Sequence, residues 1–480
     1  MKPTCIKHTN MHAYKFQPCG FHHTIKIQNY NMMKKVILPA LIIMILLGGC
    51  KSSDNGELTG VPGRKNFFEP EPFEMAFIPA GSFTMGPSDQ DAVFAMNSIS
   101  KTVTVEAFWM DQTEITNNKY RQFVYYVRDS ILRTKLGEAQ VPDREYFVVD
   151  DDGNPVDPPV INWAEKIDPR EETTAAVLEE MFYPPEERFN GKKQIDVRKL
   201  NFTYFWVDYQ QAAKAKYVND YANNTWKYIG QVIDRNGNMT DVRNRSSFIR
   251  HDTINIYPDT LCWIRDFTYS FNDPQADLYF WHPSFDDYPV VGVSWSQAQA
   301  FSRWRTDYMN TALRKNGIAD VQAYRLPLET EWEYAARGGL DLSMYPWGGP
   351  YTRNYEGCFL ANFKPLRGNY IDDGTVYTAK AGSYEPNEYG LFDMSGNVAE
   401  WTLGAYHPSA YIFEHDLNPN YEYNARPQDP PVLKRKVIRG GSWKDIAYFL
   451  QTSSRDYEYQ DSTKSYIGFR NVRSYIGVNQ

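Results

Sequence analysis

The sequence predicts an irregular α+β fold, and three observations lead to this prediction. The 480 residues are 42% hydrophobic and 15% aromatic, which is enough to fill a substantial core. Some segments have apolar residues at helical spacing, whereas several short stretches alternate with the period of two that is typical of strands. Turns rich in Gly, Asn and Pro join most of these stretches, so little long regular structure is expected.

The first predicted elements lie within residues 73–128. Apolar residues alternate on either side of Pro79-Ala80-Gly81, as in a β-hairpin, and residues 103–110 form the next predicted strand. Thr116 is placed to cap a helix. The apolar face of that helix, at positions i, i+3, i+4 and i+7, consists of Tyr120, Phe123, Val124 and Val127.

Residues 129–285 differ in character, because they are rich in Asp, Asn, Tyr and Pro. Weak helices are predicted over 171–181 and 207–218, and strands over 246–256 and 262–269. Since the earlier pattern resumes afterwards, we interpret this segment as an insertion and as an interaction region. Its aromatic composition is typical of a protein interface, although a decorative loop system would have the same pattern.

Residues 288–293 are predicted as a strand that leads into a capping box at 294–297. The helix that follows has an inward stripe consisting of Trp295, Ala298, Phe301 and Trp304. A second helix is predicted after residues 325–327. Its charges run from Glu329, Glu331 and Glu333 near the start to Arg337 in the last turn, and Gly338-Gly339 closes it.

Residues 33–49 have the pattern of a secretory signal peptide. A short basic stretch, Met33-Lys34-Lys35, precedes the apolar residues 36–47, and Leu47-Gly48-Gly49 comes directly before Cys50. This ending resembles the bacterial lipobox, which implies cleavage before Cys50 and attachment of diacylglycerol to its thiol. An ordinary cleavage site followed by a chance cysteine is the alternative.

The flanks of this signal complete the predicted organisation of the amino-terminal region. Residues 1–32 precede the basic stretch, and we interpret them as a non-native upstream extension. Residues 50–72 are polar and contain Gly and Pro, which is typical of a flexible linker. Lys51-Ser52 lacks the Asp that commonly marks retention in the inner membrane. The analogy therefore implies a lipid-anchored protein on the periplasmic face of the outer membrane.

Charge and cysteine usage exclude several classes of function. The formal net charge is −8, and without residues 1–49, which contribute six Lys, it becomes −14. A chain this acidic is a poor candidate for nucleic-acid binding, which needs a basic footprint. There is no CxxC pair, so zinc-ribbon and thioredoxin-type sites are excluded. Cys262 and Cys358 could form a disulfide or remain two separate thiols.

The stretch 387–402 carries the strongest chemical signal. Asp393 and Glu400 flank a tight Gly396-Asn397 turn, which can direct backbone carbonyls and both carboxylates towards one point. Oxygen ligands of this kind suit a hard cation such as Ca²⁺. The alternative is that both carboxylates accept hydrogen bonds from turn amides.

Seven motifs occur in order along the chain: Gly81–Gly86, Glu114–Asn117, Pro289–Trp295, Arg325–Pro327 with Glu331–Gly339, Gly390–Leu391 with Gly396–Thr402, Arg439–Trp443, and Gly468–Arg470. Together they closely resemble the formylglycine-generating-enzyme domain, also called the sulfatase-modifying-factor domain. The resemblance covers residues 73–128 and 286–475. It implies one compact α+β unit of the formylglycine-generating-enzyme fold, which is related to C-type lectins, with 129–285 as a large insertion.

The resemblance also implies which chemistry to look for. The family's enzymes oxidise a cysteine in sulfatases by means of two cysteines, five positions apart, that hold copper. The matching positions in this chain are Leu450 and Arg455, and neither side chain can form a thiolate. We therefore expect no copper and no formylglycine chemistry. An oxidase that uses ligands other than cysteine is the enzymatic alternative.

The calcium sites of the family transfer better to this sequence. The resemblance implies one Ca²⁺ bound by the side chains of Asp393 and Glu400 and by the carbonyls of Gly396 and Val398. A second Ca²⁺ is implied at the side chains of Asn362 and Asp373 and the carbonyls of Phe363 and Thr375. Either ion would act structurally, by holding loops that have few hydrogen bonds of their own.

A domain without its catalytic cysteines, a lipid anchor and a long insertion together resemble one group of lipoproteins, the gliding-motility and type IX secretion lipoproteins of the GldK/PorK type. Residues 257–266 and 281–289 are similar to that group's insertion. The resemblance implies self-association in a periplasmic ring with a GldN/PorN-type protein, and peptidoglycan is a further candidate partner. A GldJ-type gliding lipoprotein and a lectin-like binder of glycan or peptidoglycan are the alternatives.

Overall fold

Two four-stranded sheets and two long helices form the framework of the protein. The computed structural model describes residues 69, 71–88, 99–142, 144–220, 225–234, 237–266, 274–365, 372 and 374–477. The sheets and helices belong to one compact unit, residues 68–480. None of the helices in the described part of the chain is both long and apolar enough to span a bilayer.

The strands are short, as the alternating stretches predict. In chain order they are β1 (Met75–Ile78), β2 (Gly81–Met85), β3 (Lys101–Val105), β4 (Phe108–Asp111), β5 (Asn201–Val207), β6 (Lys216–Asp220), β7 (Thr225–Ile229), β8 (Gln231–Ile233), β9 (Met239–Asp241), β10 (Ile249–Asn255), β11 (Tyr324–Arg325), β12 (Ala399–Ala405), β13 (Arg435–Arg439), β14 (Asp456–Tyr459), β15 (Ile467–Gly468) and β16 (Val472–Ser474).

Two of the helices are long and the others are short. They are α1 (Asn117–Glu138), α2 (Glu172–Leu178), α3 (Tyr209–Lys214), α4 (Cys262–Asp266), α5 (Pro274–Leu278), α6 (Trp295–Lys315), α7 (Glu329–Arg337) and α8 (Ala410–Phe413). Single 3₁₀ turns occur at Glu179–Met181, Pro185–Glu187, Phe189–Gly191, Val197–Lys199, Arg245–Phe248, Pro283–Phe285 and Pro431–Lys434.

The sheet order brings distant parts of the chain together. One sheet has the order β1-β4-β16-β11 and the other β14-β13-β12-β15. All their pairings are antiparallel except β12 with β15. Four two-stranded ladders, β2–β3, β5–β10, β6–β7 and β8–β9, complete the described strands. This mixture of helices and mostly antiparallel strands confirms the predicted α+β class.

A central cluster of apolar side chains joins the helices to the sheets. Tyr120 of α1 stacks on Phe301 of α6, with ring centroids 5.6 Å apart. Trp401 of β12 is fully buried in the same cluster, and its Nε1 donates to the carbonyl of Val293 at 3.0 Å. Burial of each such side chain contributes about 1.5–3 kcal/mol, so this cluster is the main source of stability.

The predicted helix starts and ends are confirmed. The Thr116 hydroxyl accepts from the backbone N–H of Lys119 at the start of α1. Ser294 and Gln297 form the reciprocal capping box of α6. The Ser294 hydroxyl accepts from the backbone amide of Gln297 at 3.3 Å, and Oε1 of Gln297 accepts from the backbone amide of Ser294 at 2.8 Å. Gly338 ends α7 in a left-handed conformation, with φ of 59°, which a side chain would disfavour.

Several strand predictions are wrong in their partners or limits. The segments on either side of Pro79-Ala80-Gly81 do not form a hairpin, because β1 pairs with β4 and β2 pairs with β3. Residues 103–110 do not form one strand; β3 ends at Val105 and β4 begins at Phe108. Alternation shows which face of a strand is buried, but it does not identify the strand beside it.

The prediction of a strand over 288–293 is also wrong. The amide of Val290 donates to Ile115 O at 2.8 Å and that of Gly292 to Lys464 O at 2.9 Å, so this segment is bonded to two different partners. Gly292 has φ of +72°, and a Cβ there would lie 2.3 Å from the carbonyl oxygen of Asp259. The segment is therefore a bent connection that only glycine permits at this position.

Within residues 129–285 the predictions are partly confirmed. The helix over 171–181 is present as α2 with a following 3₁₀ turn, and β10 lies within the strand predicted over 246–256. The helix over 207–218 is shorter, because β6 begins at Lys216. Residues 262–266, predicted as part of a strand, form the helix α4, and 267–269 lie outside the described residues.

Residues 129–285 do not stand apart from the rest of the unit. Leu200, Tyr204, Ile256 and Phe280 are members of the central cluster, beside side chains of α1 and α6. The hydroxyl of Tyr120 donates to Ile256 O at 2.9 Å, which fixes this part of the chain to α1. Removing the segment would therefore open the core rather than trim a surface loop.

Candidate functional site

Two neighbouring regions correspond to the sites that the sequence predicts: the turns before β12, and the segment 450–455. The turns before β12 depend on three residues with positive φ, namely Asp393 (54°), Gly396 (83°) and Asn397 (56°). A Cβ at Gly396 would lie 2.3 Å from the carbonyl oxygen of Asn362, so no side chain fits there. This close approach brings Asn362 of the predicted second calcium site against the first.

Glu400 is held by a buried guanidinium. Nε of Arg470 donates to both carboxylate oxygens at 2.8 Å, and its Nη2 donates to Oε1 at 2.6 Å. The indole Nε1 of Trp332 donates to Oε2 at 2.8 Å. All three side chains are buried, so the pair is shielded from water and its hydrogen bonds are strong. Burial favours a neutral Arg470, but the carboxylate of Glu400 keeps its pKa above the ordinary value.

Two more carboxyl groups crowd this pair. Burial raises the pKa of Asp393 to about 6, although the amide of Gly382 donates to its Oδ2 at 2.5 Å. Burial and the charge of Asp393 raise the pKa of Glu114 well above its ordinary range. The side-chain amide of Asn397 donates to Glu114 Oε1 at 3.2 Å. Three carboxyl groups therefore share one guanidinium in a dry site.

The first predicted calcium site fits a cation only in part. The crowded carboxyl groups of Glu114 and Asp393 favour a positive charge nearby. The carboxylate of Glu400 does not favour a further positive charge, because Arg470 and Trp332 already donate to both of its oxygens. The amide of Gly396 donates to Gly440 O at 2.9 Å, and Val398 is buried. In the part of the chain that is described, no three His, Cys, Asp or Glu side chains form a metal-binding group. Calcium binding here stays a prediction.

Only part of the second predicted calcium site lies within the described residues. The side-chain amide of Asn362 donates to Tyr377 O at 2.8 Å. The backbone carbonyl of Asn362 accepts from the backbone amide of Asn397. Phe363 is buried in an apolar cluster, and Thr375 is described, but Asp373 lies outside the described residues. Whether these four residues share an ion stays a prediction.

Leu450 stands where the family's first cysteine is expected, and it is completely buried. It packs with Tyr345, Ala361 and Phe363 in a small apolar cluster, which also links it to the predicted second calcium site. Its carbonyl accepts from the hydroxyl of Ser395 at 2.6 Å. The side chain of Leu450 thus contributes to the packing of the core, as expected of an apolar group.

Arg455, which is predicted to match the family's second cysteine, is also held inside the protein. Its Nη2 donates to Glu329 Oε2 at 2.8 Å, its Nε donates to Oε1, and its guanidinium carbon lies 4.5 Å from the ring centre of Tyr411. Burial alone would raise the pKa of Glu329, but Arg455 and Arg439 lower it. Burial would lower the pKa of Arg455, but Glu329 raises it instead.

A second guanidinium fastens the segment between these two positions. Nη2 of Arg439 donates to Thr452 O at 2.6 Å and to Glu333, and Nη1 donates to Ser453 O at 3.3 Å. The amide of Thr452 donates to Met344 O at 2.9 Å. Residues 450–455 therefore have fixed side chains and a fixed backbone. The residues present do not fit copper, because Leu450 and Arg455 offer it no ligand.

The other predicted site residues are placed separately. Cys262 is buried and Cys358 is exposed, and both are free thiols. Burial raises the pKa of Cys262, so its thiol is protonated and unreactive at neutral pH. Cys50, the predicted lipidation site, lies outside the described residues together with the signal peptide and most of the linker.

Sequence reasoning missed the two partners that dominate the first site. Glu114 and Arg470 both occur in the quoted motifs, but neither was given a role. The sequence around Glu114 is polar apart from Ile115, so it gave no signal that this carboxylate is buried. Nothing in the sequence identified Arg470 as a partner of Glu114, since it lies 356 positions away.

A comparison of the sequence with models of protein families agrees with this description. The model of the sulfatase-modifying factor enzyme 1-like domain matches residues 64–475. The chain belongs to this family. The match runs through residues 129–285, and the division of the sulfatase-modifying factor domain into two parts around an insertion stays a prediction.

Individual relatives of this sulfatase-modifying factor domain resemble a smaller part of the chain. Formylglycine-generating enzyme of Bos taurus is 34% identical over 192 residues, which is 38% of this chain and 43% of that protein. Inactive C-alpha-formylglycine-generating enzyme 2 of Bos taurus is 32% identical over 190 residues, 38% of this chain and 50% of that protein. The chain thus spans about half the length of the curated relatives it matches. The solved structure of PvdO from Pseudomonas aeruginosa has a TM-score of 0.39 and 17% identity, covering 84% of this chain and 94% of that one.

Proposed function

We propose that this protein is a non-catalytic assembly component, and that it serves as a structural ring lipoprotein of a type IX secretion or gliding-motility machine. It is anchored in the outer membrane through Cys50 and faces the periplasm. The proposal joins a sulfatase-modifying factor domain that lacks its reactive cysteines to a predicted lipid anchor and a long aromatic segment.

One observation carries the non-catalytic part of the proposal: both cysteine positions are taken by side chains with structural contacts. Leu450 fills an apolar cluster, and Arg455 forms an ion pair with Glu329. Neither can bind copper or exchange electrons with a thiol. A curated relative that is named as inactive supports the view that this fold persists without the enzymatic activity.

The assembly part of the proposal rests on residues 129–285. This segment shares the central cluster, so it is held rigidly, and it also carries exposed aromatic side chains such as Phe205, Tyr209 and Trp226. A rigid, aromatic surface is suited to a lasting protein contact. The resemblance to the GldK/PorK group gives the expected partner, a periplasmic protein of the GldN/PorN type.

Crosslinking in intact cell envelopes, followed by purification of the tagged protein, tests this function. We expect crosslinked products of high mass that contain a GldN/PorN-type ring protein and several copies of this chain. Recovery with other gliding components but without the ring partner would favour the GldJ-type alternative. Retention on peptidoglycan or glycan in the presence of Ca²⁺, with no protein partner, would favour the lectin-like alternative and overturn the ring.

A parallel assay addresses catalysis. The purified protein, incubated with copper(I), a thiol-containing sulfatase peptide and oxygen, is expected to consume no oxygen above the buffer control. Formylglycine-generating enzyme treated in the same way is the positive control. Oxygen consumption that depends on the protein and on copper or iron would overturn the non-catalytic assignment and establish an oxidase with other ligands.

A further inference from the structure

Residues 145–162 form a hairpin whose charge is entirely negative. The amide of Val148 donates to Val160 O at 2.8 Å, that of Asn162 to Tyr146 O at 2.9 Å, and that of Asp150 to Asn154 O at 2.8 Å. The segment contains five acidic residues and no Lys, Arg or His. We refer to it as the acidic hairpin.

The acidic hairpin is fixed at its base and exposed at its turn. Tyr146 is buried beside Leu132 and Leu136 of α1, which holds the hairpin to the body of the protein. Asp150, Asp151 and Asp152 at the turn are exposed, and two aliphatic side chains next to them, Val148 and Val160, are 41% and 50% exposed. The hairpin thus presents a small apolar patch bordered by carboxylates.

A second hairpin, formed by β6 and β7, presents the opposite charge. In its register Lys216 lies opposite Ile229 and Val218 lies opposite Lys227, and opposed residues of an antiparallel pair point to the same side. The side chains of these four residues are exposed, and the register continues with Asp220 opposite Thr225. Across the first two pairs, lysine and aliphatic side chains therefore alternate on one surface.

Two further cations border the base of this hairpin. Lys214 ends α3 directly before β6, and Arg243 follows Val242, whose amide donates to Gly230 O at 3.0 Å. Both side chains are exposed, and the nearby Asp241 accepts from the side-chain amide of Gln231. We refer to β6 and β7 with Lys214 and Arg243 as the basic hairpin.

The basic hairpin is supported on one of its two faces. An isolated two-stranded ladder is only marginally stable in water. Here one face packs, through Tyr228, on the cluster of Val232, Val242 and Phe248, whereas the other face leaves Val218 and Ile229 exposed. A positive, partly apolar surface is unusual on a chain with a formal net charge of −8, and its complement is the acidic hairpin.

We propose that the acidic hairpin of one copy docks on the basic hairpin of a second copy of this chain. Carboxylates of the first would face Lys214, Lys216 and Arg243 of the second, and the paired valines would cover Val218 and Ile229. Complementary charge of this kind fixes partner and register. The inference rests on the proposed assembly function and names the surfaces by which copies join.

The geometry of the contact has a direct consequence. Each chain contributes two different surfaces, so the contact is heterologous, and each docked copy leaves one acidic and one basic hairpin open for the next. The assembly grows head to tail, and it closes into a ring only if the rotation between neighbouring copies permits closure. Because the charged groups are exposed, salt weakens the contact.

Two neutral variants of the mature chain, purified in detergent, test the contact. One carries Asp150→Asn, Asp151→Asn and Asp152→Asn, in which Asn at position 150 can still accept the turn hydrogen bonds of Asp150. The other carries Lys214→Gln, Lys216→Gln and Arg243→Gln. A control with Glu385→Gln, Glu388→Gln and Lys315→Gln changes three exposed charges elsewhere. Thermal melting first establishes that all three are folded.

Sedimentation velocity then decides the question. At about 50 mM salt the wild type and the control are expected to form oligomers that dissociate at about 500 mM salt. Each neutral variant alone is expected to associate at least about tenfold more weakly. An equimolar mixture of the two variants should form dimers that grow no further, because only one intact pair of hairpins remains.

Two outcomes overturn the contact: association of either variant as strong as that of the wild type, or a mixture without dimers. If the wild type is monomeric in this assay but envelope crosslinking still recovers a ring of high mass, the hairpin contact is wrong and the proposed function stands. If crosslinking recovers no assembly either, the proposed function fails as well.

Discussion

Arg455 and Glu329 form a two-pronged ion pair inside the protein, and Arg455 is the residue predicted to match the second cysteine of the family's enzymes. Nη2 donates to Oε2 at 2.8 Å and Nε donates to Oε1. The same carboxylate accepts from the hydroxyl of Tyr411 at 3.1 Å. The predicted second cysteine position is therefore part of a structural network in this protein.

Replacing Arg455 by Ala should destabilise the protein by about 3 kcal/mol, because Glu329 would lose its nearest counter-charge in a buried site. Urea unfolding monitored by fluorescence measures the change. Arg314→Ala is the matched control, since Arg314 pairs with Asp320 at the surface and its loss should cost much less. Equal effects of the two substitutions would contradict a buried structural role for Arg455.

Replacing Leu450 by Ala should destabilise the protein by about 2–5 kcal/mol, because the side chain is completely buried and its removal leaves a cavity. Leu340→Ala, at a partly exposed leucine, serves as the control and should cost much less. The free energy of unfolding measures both. A cost below about 1 kcal/mol for Leu450→Ala would indicate an open cleft at this position rather than a filled one.

Replacing Glu400 by Ala should destabilise the protein by about 3–5 kcal/mol, because it removes the carboxylate that is hydrogen-bonded to the buried guanidinium of Arg470. If calcium also binds at the first predicted site, the wild type should melt at a higher temperature with Ca²⁺ than with a chelator, and the variant should not respond. Identical melting of the wild type with and without chelator would remove the calcium hypothesis.

The pH dependence of stability should report on Asp393. Its pKa is about 6 in the folded protein and 3.8 in a free side chain, so the folded state binds this proton more tightly. The resulting stabilisation is fully present below pH 3.8 and is lost as the pH rises through about 6. In chelator, Asp393→Asn should be more stable than the wild type at about pH 8, by on the order of 2 kcal/mol.

The same variant should show a flatter stability curve than the wild type between about pH 4 and 7, because the titrating group is gone. Chemical unfolding at a series of pH values gives both curves, and their difference contains the titration of Asp393 together with the change that its charge makes to the pKa of Glu114. A wild type that gains stability relative to the variant as the pH rises would show that Asp393 is ionised and paired in the folded protein.

Replacing Cys50 by Ala should release the protein from membranes into the soluble periplasmic fraction, because the predicted lipid would have no attachment point. Fractionation of envelopes followed by a carbonate wash measures the distribution, and metabolic labelling with a fatty acid measures lipidation itself. Substitution of Cys262, which is buried, is the control and should leave the distribution unchanged. A Cys50→Ala variant that still pellets after the wash would show a second anchor.

The sequence predicted the helices more successfully than the strands, for a physical reason. Capping and periodicity are local, so Thr116, Ser294 and Gly338 marked the limits of α1, α6 and α7 correctly. Strand pairing depends on residues far apart, and β4 has β1 on one side and β16 on the other. Alternation around Pro79 could not reveal either partner.

The same difference between local and distant relationships applies to the candidate sites. The sequence identified Asp393, Glu400, Leu450 and Arg455, because the motifs and their spacing are local. It did not show that Arg470 neutralises Glu400 or that Glu329 receives Arg455, since these pairs span 70 and 126 positions. The calcium hypothesis therefore depended on two carboxylates, of which one is already paired in the structure.

The shared core of residues 129–285 has a mechanical consequence. Since Tyr120 of α1 binds Ile256 and stacks on Phe301, a pull on the outer hairpins strains the interior of the molecule rather than a slack tether. If copies of the chain join through this segment, tension between them would therefore act on the core of the domain.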